Sequence, residues 1–173
     1  MKNNLNVVLF EPLIPGNTGN IMRTCVGTNT NLHLIKPLGF SLDEKYLKRP
    51  ALDYIKDLKY FVYENWDDFT SKNPGKYYFY TRYSKNNYSE VNYNTSENLY
   101  LIFGKETTGI DKNILKDNLD NTLRIPMSDK IRCLNLANSV AIALYEVLRQ
   151  RNFPNLSLTE VQKGEDFLYK KDN

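Results

Sequence analysis

Three short segments of the sequence combine glycine with polar side chains that could contact a ligand. They are residues 15–20 (PGNTGN), residues 104–109 (GKETTG) and residues 126–133 (PMSDKIRC). Each lies just after a run of apolar residues that is typical of a buried strand. Ligands of open parallel sheets bind outside the carboxyl ends of the strands, so the three segments could meet around one ligand.

The first segment does not match a dinucleotide-binding loop. Its glycines are spaced G-x-x-G, and about 20 residues further on, where an acidic residue would bind the ribose, the sequence has Lys36. The sequence also has no P-loop, no G-x-S-x-G motif and no Cys-His pair at a catalytic spacing. We interpret His33, the single histidine, as a core or surface residue rather than a catalyst.

Composition limits the class of protein further. The chain has 173 residues, a net charge of +3 and a pI near 8.7, as expected for one domain that is compatible with an acidic partner. Its two cysteines, Cys25 and Cys133, form no C-x-x-C pair and cannot build a zinc site or a disulfide framework. The apolar run at residues 7–10 is too short for a signal or membrane segment, so we predict a cytoplasmic protein.

Strands alternate with helices along the chain. Apolar runs predict six strands, at residues 5–10, 32–35, 60–63, 77–80, 99–103 and 123–125. This order predicts an α/β fold with a mostly parallel six-stranded sheet flanked by helices. We expect residues 1–155 to form a single domain and residues 156–173 to form a charged, loosely held C-terminal tail.

Helices and loops are predicted between the strands. Asn17 or Thr18 is a candidate N-cap for the first helix, and a capping box of Ser41 and Glu44 predicts a short helix through Leu47. A further helix is predicted at residues 111–119. The segment at 83–98 is rich in Asn, Ser and Tyr and predicts a loop with at most one helical turn.

The last predicted helix, which extends to Gln150, is apolar on nearly all sides. Leu136, Val140 and Leu144 follow the helical period, while Ala137 and Ala141 fill other faces. A helix of this kind must be covered on more than one side. The sheet can cover one face, and a second copy of the chain is the simplest cover for the other, which predicts a homodimer.

Together these features resemble the SPOUT, or trefoil-knot, RNA methyltransferases over nearly the whole chain. The resemblance is closest to the small tRNA (cytidine/uridine-34-2'-O)-methyltransferase family, which acts on leucine tRNAs. The residues that carry it are Glu11-Pro12, Ile14-Pro15, Asn17 to Ile21, Arg23, Pro37 to Phe40, Phe103-Gly104, Glu106-Thr107, Gly109, Ile125 to Met127, Asn135-Leu136 and Tyr145-Glu146.

The resemblance implies a C-terminal trefoil knot, a homodimer and tRNA as the partner. It also implies S-adenosylmethionine as methyl donor, S-adenosylhomocysteine as product, and no metal. The implied catalytic residues are Arg23 and Tyr145. The implied cofactor-binding residues are Tyr80, Gly104, Ile125 and Cys133. The residues implied to shape the loops are Asn17, Gly19, Glu106, Gly109 and Asn135.

Methyl transfer to a ribose hydroxyl is an in-line displacement, which depends on alignment and on removal of the hydroxyl proton. Arg23 could hold a phosphate or sugar oxygen, although it could also be an ordinary surface arginine. Tyr145 could contact the nucleotide or pack in the core, and Glu106 could orient a loop or act as a base. The family often has Ser at Cys133 and Arg at Thr108, so Thr108 removes one possible phosphate contact.

The leading hypothesis is therefore a metal-independent 2'-O-methyltransferase of the tRNA wobble nucleotide. The alternatives are the same reaction at another tRNA position or on ribosomal RNA, and a non-catalytic RNA-binding module.

Overall fold

The computed structural model describes residues 4–42 and 55–170 of the chain. One six-stranded sheet in the order β3-β2-β1-β5-β4-β6, with every strand pairing parallel, organises these residues. The strands are β1 (Leu5–Phe10), β2 (Asn31–Ile35), β3 (Tyr60–Tyr63), β4 (Lys76–Tyr80), β5 (Leu99–Gly104) and β6 (Thr122–Leu123). The helices within the described ranges are α1 (Pro15–Gly27), α2 (Trp66–Lys72), α3 (Lys112–Lys116) and α4 (Leu136–Gln150). The predicted α/β class and parallel sheet are confirmed.

The central strand β1 explains the unbroken apolar run near the start of the sequence. All six of its residues are buried between β2 and β5, with helices on both faces. The register aligns Phe10 with both Ile35 and Gly104, so three strands end at the same level. The segments that follow these strands therefore lie along one edge of the sheet.

Two apolar clusters fill the space on the two faces of the sheet. One joins residues such as Leu9 and Leu101 of the sheet to Ile21 of α1 and Leu144 of α4. The other is largely aromatic and includes Phe69 of α2. Burying each large side chain of this kind contributes roughly 1.5–3 kcal/mol, so the clusters are the main source of stability.

His33 lies inside the aromatic face, as its position in an apolar run indicates. Its Nδ1 lies 2.8 Å from the Tyr63 hydroxyl and its Nε2 lies 3.1 Å from Asn6 Oδ1, so Nε2 carries the proton of the neutral ring. Burial lowers the pKa of His33 to about 4. His33 is a core histidine with satisfied hydrogen bonds, and its prediction as a non-catalytic residue agrees with this position.

The start of α1 differs from the prediction. The helix begins at Pro15, and the residue before it, Ile14, provides no side-chain cap. Proline suits this first position because it has no N–H to satisfy and its φ is already helical. The prediction that Asn17 or Thr18 caps the helix is therefore wrong, and the Asn17 side chain is used elsewhere.

Two further boundaries are shorter than predicted. The strand predicted at 123–125 ends at Leu123 because Arg124 leaves β4 and pairs with a loop: its N–H donates to Asn86 O at 2.8 Å, and its carbonyl accepts from Tyr88 N–H at 3.1 Å. The helix predicted at 111–119 is limited to α3 (Lys112–Lys116). Asp111 caps it by accepting a hydrogen bond from Asn113 N–H at 2.7 Å. The helix predicted through Leu47 lies outside the described residues.

The C-terminal half of the fold leaves one apolar helix face open to solvent. Helix α4 buries Val140, Ala143, Leu144, Val147 and Leu148. On another side, Ile142 is 38% exposed and Tyr145 is 50% exposed.

The loop predicted at 83–98 is confirmed, with a single 3-10 turn at Tyr88–Glu90. In the described part of the chain, no helix is long and apolar enough to cross a membrane.

Candidate active site

Glu106 binds the segment that precedes and begins α1. Its carboxylate accepts hydrogen bonds from Leu13 N–H at 2.9 Å, from Ile14 N–H at 3.2 Å and from the Asn17 side-chain amide at 2.9 Å. Burial alone would raise the pKa of Glu106, but these donated hydrogen bonds outweigh it and the net pKa is lowered. The residue is therefore a firmly held carboxylate at neutral pH, which suits a positioning role better than that of a base.

Asn17 extends this contact to the start of α4. Its carbonyl oxygen accepts from Asn135 Nδ2 at 3.0 Å, while Asn135 Oδ1 caps α4 by accepting from Ala137 N–H at 2.9 Å and Asn138 N–H at 3.3 Å. A series of side-chain hydrogen bonds, the Glu106–Asn17–Asn135 chain, thus joins the loop after β5 to the starts of α1 and α4. Gly19 is buried two residues further along α1.

The two glycines of segment 104–109 are required by the backbone. A side chain at Gly104 would place its Cβ 2.1 Å from the Gly109 carbonyl carbon and 2.2 Å from Ile110 N. Gly109 has a φ of +76°, in the left-handed region that favours glycine, and its N–H donates to Lys105 O at 3.0 Å. The segment is therefore a tight loop that presents Glu106 on one side.

The residues implied for cofactor binding lie around the carboxyl ends of β5, β4 and β6. Tyr80 is in register with Phe103 and Leu123, and Thr81 N–H donates to Leu123 O at 2.9 Å. Ile125 follows two residues after β6 and packs partly buried against the core. Gly104 ends β5 beside them.

The side chain of Tyr80 itself belongs to the core. It is 8% exposed, its ring stacks on Phe103 with centroids 4.7 Å apart, and its hydroxyl lies 2.9 Å from the Tyr93 hydroxyl. Burial raises its pKa well above the ordinary value. At this position only the backbone at the strand end is available to a ligand.

Arg82, just after β4, contacts the segment that contains Cys133. Its guanidinium donates to Arg132 O at 3.4 Å, so the segment containing the exposed Cys133 lies beside the end of β4. The structure thus gathers Tyr80, Gly104 and Ile125 at one sheet edge, with Cys133 adjacent.

The two residues implied for catalysis lie on helices rather than in these loops. Arg23 is exposed on α1, away from the buried face formed by Ile21, Met22 and Cys25. Tyr145 is half exposed on α4, which packs against α1.

A basic cluster at the ends of β4 and β6 was missed from the sequence. Arg124 donates to the carbonyl of Arg82, whose guanidinium lies 4.7 Å from the centroid of the Tyr83 ring and donates to the Tyr83 hydroxyl at 2.8 Å. Arg82 closely follows the predicted strand at 77–80, and Arg124 lies within the predicted strand at 123–125, so the position of Arg82 was the only signal available in the sequence. In residues 4–42 and 55–170, no group of three or more His, Cys, Asp or Glu side chains could hold a metal ion.

Comparison with known proteins agrees with this arrangement of strand-end loops. The family described as SpoU rRNA Methylase matches residues 4–145. The chain belongs to the SpoU methylase family. The resemblance to SPOUT methyltransferases is therefore confirmed, and the family match spans all six strands and most of α4.

Relatives and solved structures within this family extend the comparison. A protein of Listeria innocua, provisionally named a tRNA (cytidine(34)-2'-O)-methyltransferase, is 51% identical over 150 residues, covering 86% of this chain and 89% of that protein. A solved structure described as giving insights into the 2-OH methylation of C/U34 on tRNA is 35% identical, with a TM-score of 0.79 over 86% of this chain and 96% of that one.

The SpoU methyltransferase AviRb from Streptomyces viridochromogenes, solved in complex with AdoMet, is a more distant neighbour. It is 22% identical, with a TM-score of 0.75 over 88% of this chain and 60% of that one, and shows the shared fold.

Proposed function

We propose that this protein methylates the ribose 2'-hydroxyl of nucleotide 34, cytidine or uridine, in tRNA, using S-adenosylmethionine and releasing S-adenosylhomocysteine. The observation that carries the proposal is the Glu106–Asn17–Asn135 chain, which fixes the starts of α1 and α4 around the loop after β5. The similarity to the Listeria innocua relative and to the C/U34 methylation structure supports the choice of substrate. From the family resemblance, we propose leucine tRNAs as the substrates and the cytoplasm as the location.

The residues at the sheet edge fit S-adenosylmethionine. When bound, this cofactor supplies an electrophilic methyl group. Gly104 has no side chain, Cys133 is small, Ile125 offers a half-buried apolar wall, and Tyr80 offers backbone groups at the end of β4. We assign these four residues to cofactor binding, mainly through their backbone and apolar surfaces.

We assign binding of the target nucleotide to Arg23 and Tyr145. A guanidinium can donate two hydrogen bonds to a phosphate or sugar oxygen, which holds the ribose in line and favours negative charge developing on its 2'-oxygen. Tyr145 presents a half-exposed ring and hydroxyl on α4, the helix that packs against α1, and we assign it a contact with the same nucleotide. Glu106, Asn17, Asn135, Gly19 and Gly109 position the backbone around them.

We further propose a homodimer that shares α4. Ile142 and Tyr145 form an apolar stripe on the solvent side of this helix, and an isologous contact would remove both from water. Such a contact would bring a second copy of α1, with its exposed Arg23, to the same surface.

The C-terminal trefoil knot is also part of the proposal. Residues 122–124 lie between β4 on one side and residues 84–88 on the other: Ser84 Oγ donates to Thr122 O at 2.8 Å, and Arg124 pairs with Asn86 and Tyr88. The chain then continues into α4, whose last residue, Gln150, accepts from Tyr93 N–H at 3.1 Å and donates to Val91 O at 3.0 Å in the same loop. This path supports threading of the C-terminal segment through the loop 81–98.

The cofactor assignment has a direct test by calorimetry and thermal unfolding. S-adenosylmethionine or S-adenosylhomocysteine is expected to bind and to raise the melting temperature by mass action, whereas NADH is not. Activity is expected to persist in EDTA. Absence of binding at millimolar ligand would contradict the assignment.

The substrate is tested by mapping methylated nucleotides by mass spectrometry. Total tRNA and ribosomal RNA from a strain lacking the protein are compared before and after incubation with the pure enzyme and S-adenosylmethionine. Methylation at nucleotide 34 of tRNA supports the proposal. Methylation of ribosomal RNA, which the family description favours as the alternative, or of another tRNA position would replace it. Binding without methylation would indicate a non-catalytic module.

A further inference from the structure

A cavity of about 690 Å3 lies beside the loop that carries Glu106, on the aromatic face of the sheet. Its floor is apolar and includes Phe10, Ile110 and Leu115, each less than a tenth exposed. Its volume lies within the range of roughly 300–1,000 Å3 that is usual for small-molecule sites. None of the residues assigned above to the cofactor or to catalysis lines it.

The rim of this cavity carries positive charge and an aromatic ring. Three lysines, Lys105, Lys112 and Lys116, line it together with two acidic residues, Glu11 and Asp111, so the lysines are in excess. Tyr83 stands at its edge 70% exposed. Lys105 is paired with Glu11 at 2.5 Å. Lys112 and Lys116 have no carboxylate partner among the residues that the structure describes, so their charge is available to an anionic ligand.

Tyr83 also connects the cavity to the basic cluster at the ends of β4 and β6. Its ring lies against the Arg82 guanidinium, and Arg82 in turn contacts the segment at Arg132. Arg82 and the exposed Tyr83 ring therefore connect the segment at Arg132, next to the implied cofactor loops, to the edge of the lysine-lined cavity. This combination is typical of surfaces that bind single-stranded nucleic acid, where bases stack on aromatic rings and cations contact the phosphates.

We propose that this cavity holds a nucleotide of the substrate RNA that neighbours the methylated one. Its base packs on the apolar floor and against Tyr83, and its phosphates contact Lys112 and Lys116. The proposal rests on the proposed function for the identity of the RNA. Continuity with the active site supports it, because Lys105 and Gly109 line the cavity while Glu106, in the same loop, holds the start of α1. The uncharged Thr108 in this rim leaves the lysines to supply the positive charge.

The first test uses anticodon stem-loop RNAs in which each loop nucleotide around the methylated one is replaced in turn by an abasic ribose. With the wild-type protein, one abasic position is expected to lower kcat/KM about tenfold, the effect of losing one stacked base. Tyr83→Ala should lower kcat/KM about tenfold on intact RNA and cause no further loss at that same position, because both changes remove one contact. Tyr83→Phe keeps the ring and should behave like the wild type. A Tyr83→Ala loss that adds fully to every abasic loss would overturn the proposal.

The second test measures RNA binding as a function of salt. The double variant Lys112→Ala/Lys116→Ala should lower the slope of log Kd against log salt by about 1.5, since each phosphate contact contributes about 0.7–0.9. The control is Lys56→Ala/Lys59→Ala, which removes the same charge from exposed positions near β3, at the far edge of the sheet from β4 and β6. Equal slopes for the two double variants would contradict the cavity site.

The two tests separate this inference from the proposed function. If the wild type methylates nucleotide 34 but neither Tyr83→Ala nor the lysine pair changes RNA recognition beyond the control, the cavity site is wrong and the function stands. If nucleotide 34 is not methylated but the lysine pair still lowers the salt slope, the cavity binds RNA and the proposed function is wrong.

Discussion

Asn17 donates its side-chain amide to Glu106 Oε1 at 2.9 Å, although the two residues are 89 positions apart in the sequence. The carbonyl end of the same amide accepts from Asn135 at 3.0 Å. Asn17 is 8% exposed, so these contacts are made largely away from water, where an unpaired partner is costly. The side chain thus couples three chain segments: the loop after β5, the start of α1 and the start of α4.

Replacing Glu106 should weaken this coupling. Glu106→Ala leaves Leu13 N–H, Ile14 N–H and the Asn17 amide without their acceptor, and we expect the free energy of unfolding in urea at pH 7 to fall by about 2 kcal/mol. Glu106→Gln keeps one acceptor oxygen and should lose about half as much. Glu165→Ala, an exposed carboxylate in the tail, is the control and should change stability by less than about 0.5 kcal/mol.

The loss of stability on replacing Glu106 should depend on pH in a defined direction. Because the pKa of Glu106 is lowered in the folded protein, its charge stabilises the fold above its ordinary pKa, and this contribution disappears as the pH falls through the folded value. The difference between wild type and Glu106→Gln should therefore shrink in acid. A constant difference from pH 7 to pH 3 would show that the charge of Glu106 does not contribute.

His33 predicts a second pH effect on stability. Its folded pKa is about 4, below the unfolded value of about 6.5, so the unfolded chain takes up a proton first as the pH falls. Stability should drop between pH 6.5 and 4 with a slope of up to about 1.4 kcal/mol per pH unit from this residue.

The check is the variant His33→Gln, in which this component of the slope should be missing even though the loss of the ring contacts with Phe61 and Tyr63 lowers stability at pH 7. Identical slopes for the two proteins would mean that His33 is accessible to protons in the folded state.

Arg23→Ala should abolish most methyl transfer without affecting cofactor binding. We assign Arg23 to the nucleotide, and it is exposed on α1, so its removal should lower kcat by a factor of at least about 100 while leaving the S-adenosylmethionine Kd unchanged. Lys59→Ala removes an exposed cation elsewhere and serves as the control. Near-normal turnover by folded Arg23→Ala protein would return Arg23 to the role of a surface arginine.

Much of the fold could be predicted from the sequence because its strands are apolar runs. Strands β1 and β5 were predicted as buried strands from their composition alone. The loop at 83–98 was predicted from its Asn and Ser content. The errors occurred where a distant residue decides the local structure. Asn17 does not cap α1 because the helix already begins at Pro15, and its side chain contacts Glu106 and Asn135 instead. Strand β6 ends early because Arg124 pairs with residues 86–88.

The same reasoning explains which parts of the candidate site were found. Segment 104–109 was recognisable because its glycines are demanded by local geometry, a backbone contact at Gly104 and a positive φ at Gly109. The lysine-rimmed cavity was not, because its wall combines β1, the loop after β5, α3 and Tyr83, which only the fold brings together.

Dimerisation through α4 should be required for activity. Ile142→Glu would place a charge on the exposed apolar stripe that we assign to the interface, so sedimentation at micromolar concentration should show a monomer where the wild type is a dimer. Leu158→Glu, at a position 79% exposed in the tail, is the matched control and should remain dimeric. An active wild-type monomer would contradict the shared site.

Complementation then tests whether each site is built from two subunits. Arg23→Ala lacks the nucleotide contact, and Gly104→Val cannot form the loop after β5, because even a Cβ there would lie 2.1 Å from the Gly109 backbone. Each homodimer should be inactive. If Arg23 acts on the cofactor loops of its partner, a heterodimer has one intact site of two, and half of the dimers in an equal mixture are heterodimers. Co-refolded mixtures should then recover about a quarter of wild-type activity. Inactive mixtures with heterodimers confirmed by mass spectrometry would place Arg23 and the cofactor loops of each site in the same chain.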